Sequence, residues 1–540
     1  MHWILPLSVL TWVSWKLFRV LVQKSGLDNI AGPPAVSFWT GVYRRVFHLN
    51  AWGFHREMAI KYGGVIKIKA LFGETQLYIF DPKAVHQIFN KDHHIFDEME
   101  SFTLICRLIL GDGLFGTHGE QHRKQRRMLQ PIFSPTHLRD MVPTFYDVAY
   151  TLRNALNTRM KAEPKEMEIL SWMSRTALEV IGRSGLGYSF DSFTEDNAPH
   201  LYAQSAKQIM PFLFKSIILQ RYLLVPLSKI GTPGFRKAII NVVPWKDLHS
   251  FRSVVDIMQR TSLDILTQKK RALVEGDKTF RQVGQEKDVM GILLNANMEV
   301  HDGDKLSDEE LIGQINTLTF AATETISGLM GRILSVLAAH QDCQDKLRQE
   351  VVYARSKCGD LSYDDLMSLP YLDAVCRETL RVYPPGTTVV RVARADTILA
   401  LSKPIKGLDG QKLNEIYVPK NSKVIVSILA GNCNPEVWGK DSYEWKPERW
   451  LGPLPETVTE TRLPGVYSHM MTFLAGNRSC IGFKFAELEM KVIISILIES
   501  FRFFPSGKKV VWHMHGVVRP VVPALSDNTP QLPLIIEKLE

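Results

Sequence analysis

Residues 473–482 read Phe473-Leu-Ala-Gly476-Asn-Arg478-Ser-Cys480-Ile-Gly482, a lone cysteine in a glycine-hinged basic loop. The run behind it, FKFAELEMKVII over residues 483–494, repeats its apolar residues at helical spacing, so the loop opens a helix. An iron atom held by one thiolate needs that combination. A helix N-terminus aims unpaired backbone N–H groups at the sulfur and Arg478 adds positive charge, and both favour the deprotonated form. Gly476 and Gly482 let the backbone approach a flat cofactor where a Cβ would collide. An isolated cysteine is more often a buried structural residue; motifs elsewhere in the chain displace that reading here.

The cysteines Cys106, Cys343, Cys358, Cys376, Cys433 and Cys480 form no CxxC pair. Neither a disulfide scaffold nor a zinc site is expected, and a reducing cytosolic setting fits better. The 540 residues exceed one ordinary core, yet no linker or repeat divides them, so one large, mainly helical catalytic unit over residues 25–540 is expected. The formal charge of +9 is spread along the chain rather than gathered in an arm, and gives no argument for nucleic acid.

Residues 1–24 read as a membrane anchor. The stretch from Trp3 through Trp12 and Trp15 is apolar, and Lys16, Arg19 and Lys24 follow it. Residues 3–22 are long enough to span a bilayer, with Lys16 and Arg19 snorkelling to the cytosolic interface. A cleaved signal peptide and an interfacial amphipathic helix are the alternatives. Positive charges after the apolar run, and none before it, favour an uncleaved anchor that keeps the rest of the chain cytosolic. Pro33-Pro34 is expected to make a stiff break before the globular part.

Glu378-Thr-Leu-Arg381 sets an acid and a base at i and i+3 on one helical face, between Pro370 and the terminating Pro384-Pro385. Lys446-Pro-Glu-Arg449-Trp offers a second arginine from a loop, and a buried carboxylate between two guanidiniums fixes distant segments together. The longest helical pattern starts at a capping box, Ser307-Asp-Glu-Glu310, and runs to about His340. Midway lies Ala321-Ala322-Thr323-Glu324-Thr325. Small residues ahead of an acid–alcohol pair let a ligand lie against the helix and supply a proton relay. For those five residues alone, an ordinary polar stripe is the simpler account.

In this order, the motifs resemble those of the cytochrome P-450 family of haem-thiolate monooxygenases, over essentially the whole chain after the anchor. The stretch GEQHRKQRRMLQPIF at residues 119–133 is most similar to fungal, basidiomycete members. The resemblance implies a mainly α fold with a smaller β-rich subdomain. It implies haem b (iron protoporphyrin IX), with Cys480 as the proximal metal ligand and Phe473 packed beside the thiolate, and O2 as co-substrate. Arg478, Arg391 and Arg126 match residues that pair with haem propionates, and His122 stands where tryptophan is usual. Glu378, Arg381 and Arg449 match a structural triad. Glu324 and Thr325 match the catalytic proton-delivery pair, while Ala322 replaces a usual glycine and is expected to stiffen the turn.

The same resemblance implies electrons from NADPH through a separate membrane-bound NADPH–cytochrome reductase, cytochrome b5 as a further partner, and residence at the endoplasmic reticulum membrane. Arg123, Lys124, Arg127 and Lys484 are candidates for the reductase-facing surface, with a solvated charged face as the alternative. By analogy the substrate pocket takes in Phe102, Phe115, Phe320, Ala321, Val389 and Val390, an apolar set suited to a lipophilic substrate. Residues 212–230 (FLFKSIILQRYLLVPLSKI) are expected either to dip into the membrane or to form a core helix pair. The function expected is insertion of one oxygen atom into a C–H bond of a terpenoid or steroid-like intermediate of fungal secondary metabolism. Fatty-acid or polycyclic-aromatic hydroxylation is the alternative; a reductase-independent isomerase or dehydratase would not need Thr325. Gly111-Asp-Gly-Leu-Phe-Gly116 spells GxGxxG, but a basic stretch follows it and no βαβ alternation surrounds it, so it is not read as a dinucleotide site.

Overall fold

The computed structural model describes residues 11, 26–160, 163–193, 200–275, 288–461, 463–467, 469–524 and 529–539. Apart from Thr11, the expected anchor lies outside these residues. Contacts group the chain into two units. One combines described residues up to 99 with 387–443 and 455–479; the other combines 100–386, 444–454 and 480 onward. Each is assembled from segments far apart in sequence, which is why no linker marks the division.

The first unit is the β-rich part. Its five-stranded sheet runs, in spatial order, Val65–Lys69, Thr75–Ile79, Lys423–Ser427, Thr388–Ala393 and Phe96–Asp97. The central strand reads KVIVS, a β-branched run buried on both faces. Val424 and Val426 enter one cluster with Leu77, Ile79 and Val418, whereas Ile425 enters another with Ile66, Tyr78 and Phe80. That is the two-residue alternation of a strand. A second sheet pairs Thr397–Lys406 with Lys412–Val418. Leu27 and Ile30 are already in the first cluster, and the Ala31 carbonyl accepts from the Lys67 N–H at 2.9 Å. The globular part therefore starts ahead of Pro33-Pro34, not after it, because apolar residues on the N-terminal side of the prolines find a core to enter.

The second unit is helical. Its longest element, Asp308–Ala339 (the long helix), starts at the Ser307 capping box, with both reciprocal hydrogen bonds present, and is buried along most of its length. Pro370–Val382 carries Glu378 and Arg381 and begins on Pro370. Phe483–Ser500 (the cysteine helix) has Gly482 as N-cap. Phe485 near its start packs edge-on against Phe133 and Phe145, with centroids 6.2 and 5.0 Å apart. Lys491, fully buried, reaches Asp373 at 2.9 Å and Glu487 at 3.1 Å, tying the cysteine helix to Pro370–Val382. Val511–His515 and Val517–Val521 form a C-terminal hairpin turning at Gly516.

Among the described residues no single helix is long and apolar enough to cross a membrane. Leu201–Lys215 and Ile217–Ser228 pass together by length and composition, bent by 68°. Ile217, Ile218, Leu223, Leu227 and Ile230 are each about half exposed. This stretch is thus no core helix pair.

Candidate active site

Cys480 stands just ahead of the cysteine helix. Its side chain keeps solvent-accessible surface, but enough protein surrounds the sulfur that burial pushes its thiol up. The Gly482 N–H and the charge of Arg126 pull it back down. The guanidinium acting on this sulfur is thus that of Arg126, from the helix Gly119–Leu129. A metal ion at the sulfur would supply the charge that burial withholds and keep the thiol deprotonated.

His122 and Arg126, one turn apart, share that helix. Gln125 between them donates to Glu310 at 2.9 Å and to the Asp112 carbonyl at 2.7 Å, clamping the helix to the start of the long helix. The GxGxxG loop is held there too. A Cβ on Gly113 would overlap the Gly313 carbonyl, so its glycine serves helix packing rather than a phosphate.

Arg391 and Arg478 belong to the first unit, where both approach Glu98. Arg391 Nη2 lies 3.8 Å from Oε1, and Arg478 Nη1 lies 3.6 Å from Oε2. These are ion pairs too long for hydrogen bonds. Glu98 Oε2 and Arg391 Nη2 are buried without a hydrogen-bond partner among the described residues. Burial pulls Arg391 down from the ordinary arginine range while Glu98 holds it up. An unused buried guanidinium donor suits a carboxylate ligand, so the residues present fit a haem with its two propionates. Gly476 has a requirement of its own: its φ is +66° and a Cβ would overlap the Phe89 carbonyl. At Gly482 the nearest atom to an added Cβ is on Phe133, 3.9 Å away, so protein packing does not demand glycine there. Phe473 meets Tyr467 edge-on at 5.6 Å.

Glu378 is fully buried. It accepts from Arg381 Nε at 2.8 Å and Nη2 at 2.7 Å, Arg449 Nε at 3.3 Å, Trp450 Nε1 at 2.9 Å and the Lys446 N–H at 3.1 Å. The tryptophan and the backbone N–H had no role in the sequence reading, although both lie within the PERW segment or next to it.

On the long helix, Thr325 Oγ1 donates to the Ala321 carbonyl at 2.8 Å, and the helix is unbroken through Ala322. Glu324 is buried and accepts a hydrogen bond from Arg519 of the C-terminal hairpin. No local signal marked Arg519, which is 195 residues away.

The pocket candidates separate. Phe320 and Ala321 are half-buried on the long helix, whereas Phe102 and Phe115 are 43% and 36% exposed. Val389 and Val390 belong to the first unit and pack against different clusters on opposite faces of its sheet. They cannot line one cavity together, because consecutive strand residues face opposite ways. Of the basic candidates, Arg123 pairs with Glu120 and Lys124 donates to the Lys305 carbonyl at 2.7 Å. Asp112, Glu120, Asp304, Glu309 and Glu310 line one depression with Lys124 and Arg127, so this surface is mixed in charge.

A β-rich unit, a helical unit and a single cysteine presented at a helix start are the marks of the haem-thiolate class. The chain belongs to the cytochrome P450 family, whose description matches residues 31–525. It is 46% identical to cytochrome P450 monooxygenase 91 of Postia placenta, over 99% of both chains. It is 41% identical to a ganoderic acid synthetase of Ganoderma lucidum over 95% of this chain and 94% of that one, and 36% identical to a cytochrome P450 monooxygenase of Hericium erinaceus over 95% of each. The protein is a cytochrome P450 monooxygenase, an oxidoreductase that uses haem, a cysteine thiolate ligand and O2.

Proposed function

We propose that the protein hydroxylates a lipophilic terpenoid or steroid-like substrate at the endoplasmic reticulum membrane, with Cys480 as the iron ligand and electrons from an NADPH–cytochrome reductase. The observation that carries this reading is the Cys480 sulfur itself, set at a helix start with the Gly482 N–H and the Arg126 charge directed at it. Bound there, haem supplies the activation of O2 and transfer of one oxygen atom into a C–H bond. The balance is one O2, two electrons and two protons in, one hydroxyl group and one water out.

The chain's own residues do the rest. By the family resemblance, Cys480 would hold the iron, and Arg126, Arg391, Arg478 and His122 would pair with the propionates. Glu324 and Thr325 carry protons inward from the long helix. For that, the Thr325 hydroxyl turns from the Ala321 carbonyl, its partner at 2.8 Å. Phe320 and Ala321 keep the substrate side of that helix apolar. Glu378, Arg381 and Arg449 hold the framework and touch no reactant.

Two observations support the substrate class. A relative 41% identical is a ganoderic acid synthetase. The half-exposed apolar side chains over residues 217–230 suit insertion into lipid, from which such substrates are taken up. Arg127 and Lys484 are the reductase-facing candidates, with cytochrome b5 as a second donor.

The test is a reduced, CO-bound difference spectrum of membranes carrying the protein and a reductase. A band at the thiolate-ligated position is expected, and Cys480→Ser should remove it. Feeding a terpenoid panel with NADPH should give an NADPH-dependent hydroxylated product. A thiolate band with turnover of fatty acids alone would overturn the substrate assignment.

A further inference from the structure

We propose that Arg519 is the positioning residue for Glu324, set in place by the docking of the C-terminal hairpin on the long helix. The inference rests on the reading of Glu324 as a proton carrier. Arg519 Nη2 donates to Glu324 Oε2, with the two side chains only 9% and 10% exposed. Arg519 Nε is buried without a hydrogen-bond partner among the described residues, so this single donation is the polar contact directing the arginine. It takes up one carboxylate oxygen and leaves Oε1 with its lone pairs.

The hairpin meets the helix at three points spaced four residues apart. Glu324 meets Arg519. At Gly328, a Cβ would sit 3.1 Å from the Val518 carbonyl. At Arg332, the guanidinium lies 3.5 Å from the Trp512 ring centroid and 4.2 Å from that of Tyr383. Residues at i, i+4 and i+8 share one helical face, so hairpin and helix are registered over two turns. The Val518 N–H also donates to the Pro385 carbonyl at 2.8 Å, fixing the hairpin from its other side. Sliding the hairpin would break the cation–π contact and the close approach at Gly328 together. Arg519 is therefore delivered to Glu324 at one register, and the carboxylate is held in one orientation.

The consequence is kinetic. A proton carrier displaced by an ångström loses much of its rate, since proton transfer needs hydrogen-bond reach. The experiment uses the full chain in membranes with reductase and NADPH, and no added substrate. The rate of oxygen consumption and its solvent deuterium isotope effect are read for Glu324→Gln, Arg519→Gln, Arg519→Lys and the Glu324→Gln, Arg519→Gln double variant. The CO-bound spectrum serves as the check on folding. A double-mutant cycle on thermal unfolding of the same proteins tests the contact apart from activity.

Glu324→Gln and Arg519→Gln are each expected to slow consumption by about tenfold and to raise the isotope effect about twofold. The double variant should add nothing, and Arg519→Lys should restore part of the rate. A merely structural arginine would lower the thiolate signal without changing the isotope effect, and that result overturns the proposal. If Glu324→Gln changes nothing, the proton-carrier reading fails and the inference with it. If Glu324→Gln slows turnover while Arg519→Gln does not, the inference alone fails. Should Arg519→Gln not fold, Arg519→Lys decides: a rate and an isotope effect lying between those of the wild type and Glu324→Gln support positioning by Arg519, and wild-type values of both, or an unfolded chain, overturn it.

Discussion

Glu489 lies on the cysteine helix, fully buried, and neither carboxyl oxygen has a hydrogen-bond partner among the described residues. Burial alone pushes its pKa well above the ordinary 4.5, so the folded protein holds it protonated where the unfolded chain would release the proton. The folded state then binds more protons from about pH 4.5 upward. Its contribution to stability is complete below that pH and falls, by about 1.4 kcal/mol per pH unit, as pH rises toward the folded pKa. Glu489→Gln should match the wild type near pH 4 and be more stable at pH 7 in thermal unfolding. Equal midpoints at both pH values would mean that an unseen partner satisfies the carboxylate. Cys480, Glu324 and Thr325 could be named as candidates from sequence because the motifs that carry them span only a few residues. Glu98 and Arg519 were not, because their partners lie far along the chain. Gly476 was noticed, but the Phe89 carbonyl that requires it belongs to a different segment.

The elements were easier to read than their contacts. The Ser307 capping box sets the start of the long helix, and Pro370 and the residues before Pro384 bound the Glu378 helix, all by local backbone physics. What the Glu378 helix does depends on burial. Glu378 and Arg381 are fully buried, and the donors from Arg449, Trp450 and Lys446 leave the carboxylate satisfied on both oxygens. Removing one partner from such a group costs about 3–5 kcal/mol, against under 1 kcal/mol for the same pair exposed. Glu378→Ala should lower the unfolding free energy by that larger amount and reduce haem content per protein. Unchanged haem content and midpoint would make the network incidental. Gly113 shows the reverse case, a motif spelled correctly whose loop glycine serves contact with the long helix.

For the whole molecule, the division into two interleaved units escaped sequence reading, since neither unit is a continuous stretch. The apolar stretch over residues 212–230 was only half readable. Its composition suits a core or a membrane equally, and exposure rules out the core: Ile218 is 58% exposed and Ile230 54%. A chain beginning at residue 25 should still float with phosphatidylcholine vesicles. Ile218→Ser with Leu227→Ser should release it, since two aliphatic side chains withdrawn from lipid forfeit about 3 kcal/mol, on the order of 100-fold in partition. A shortened chain that never floats would remove this surface from the membrane.

By itself, the sequence determined the family, the helix boundaries around the motifs and the identity of the candidate iron ligand, because each is written in local spacing and in residue types with few alternative uses. Tertiary structure decided which charges act on which groups: Arg126 on the Cys480 sulfur, Glu98 between Arg391 and Arg478, and Arg519 on Glu324. Electrostatic partnership depends on distance and burial, and neither follows from separation along the chain.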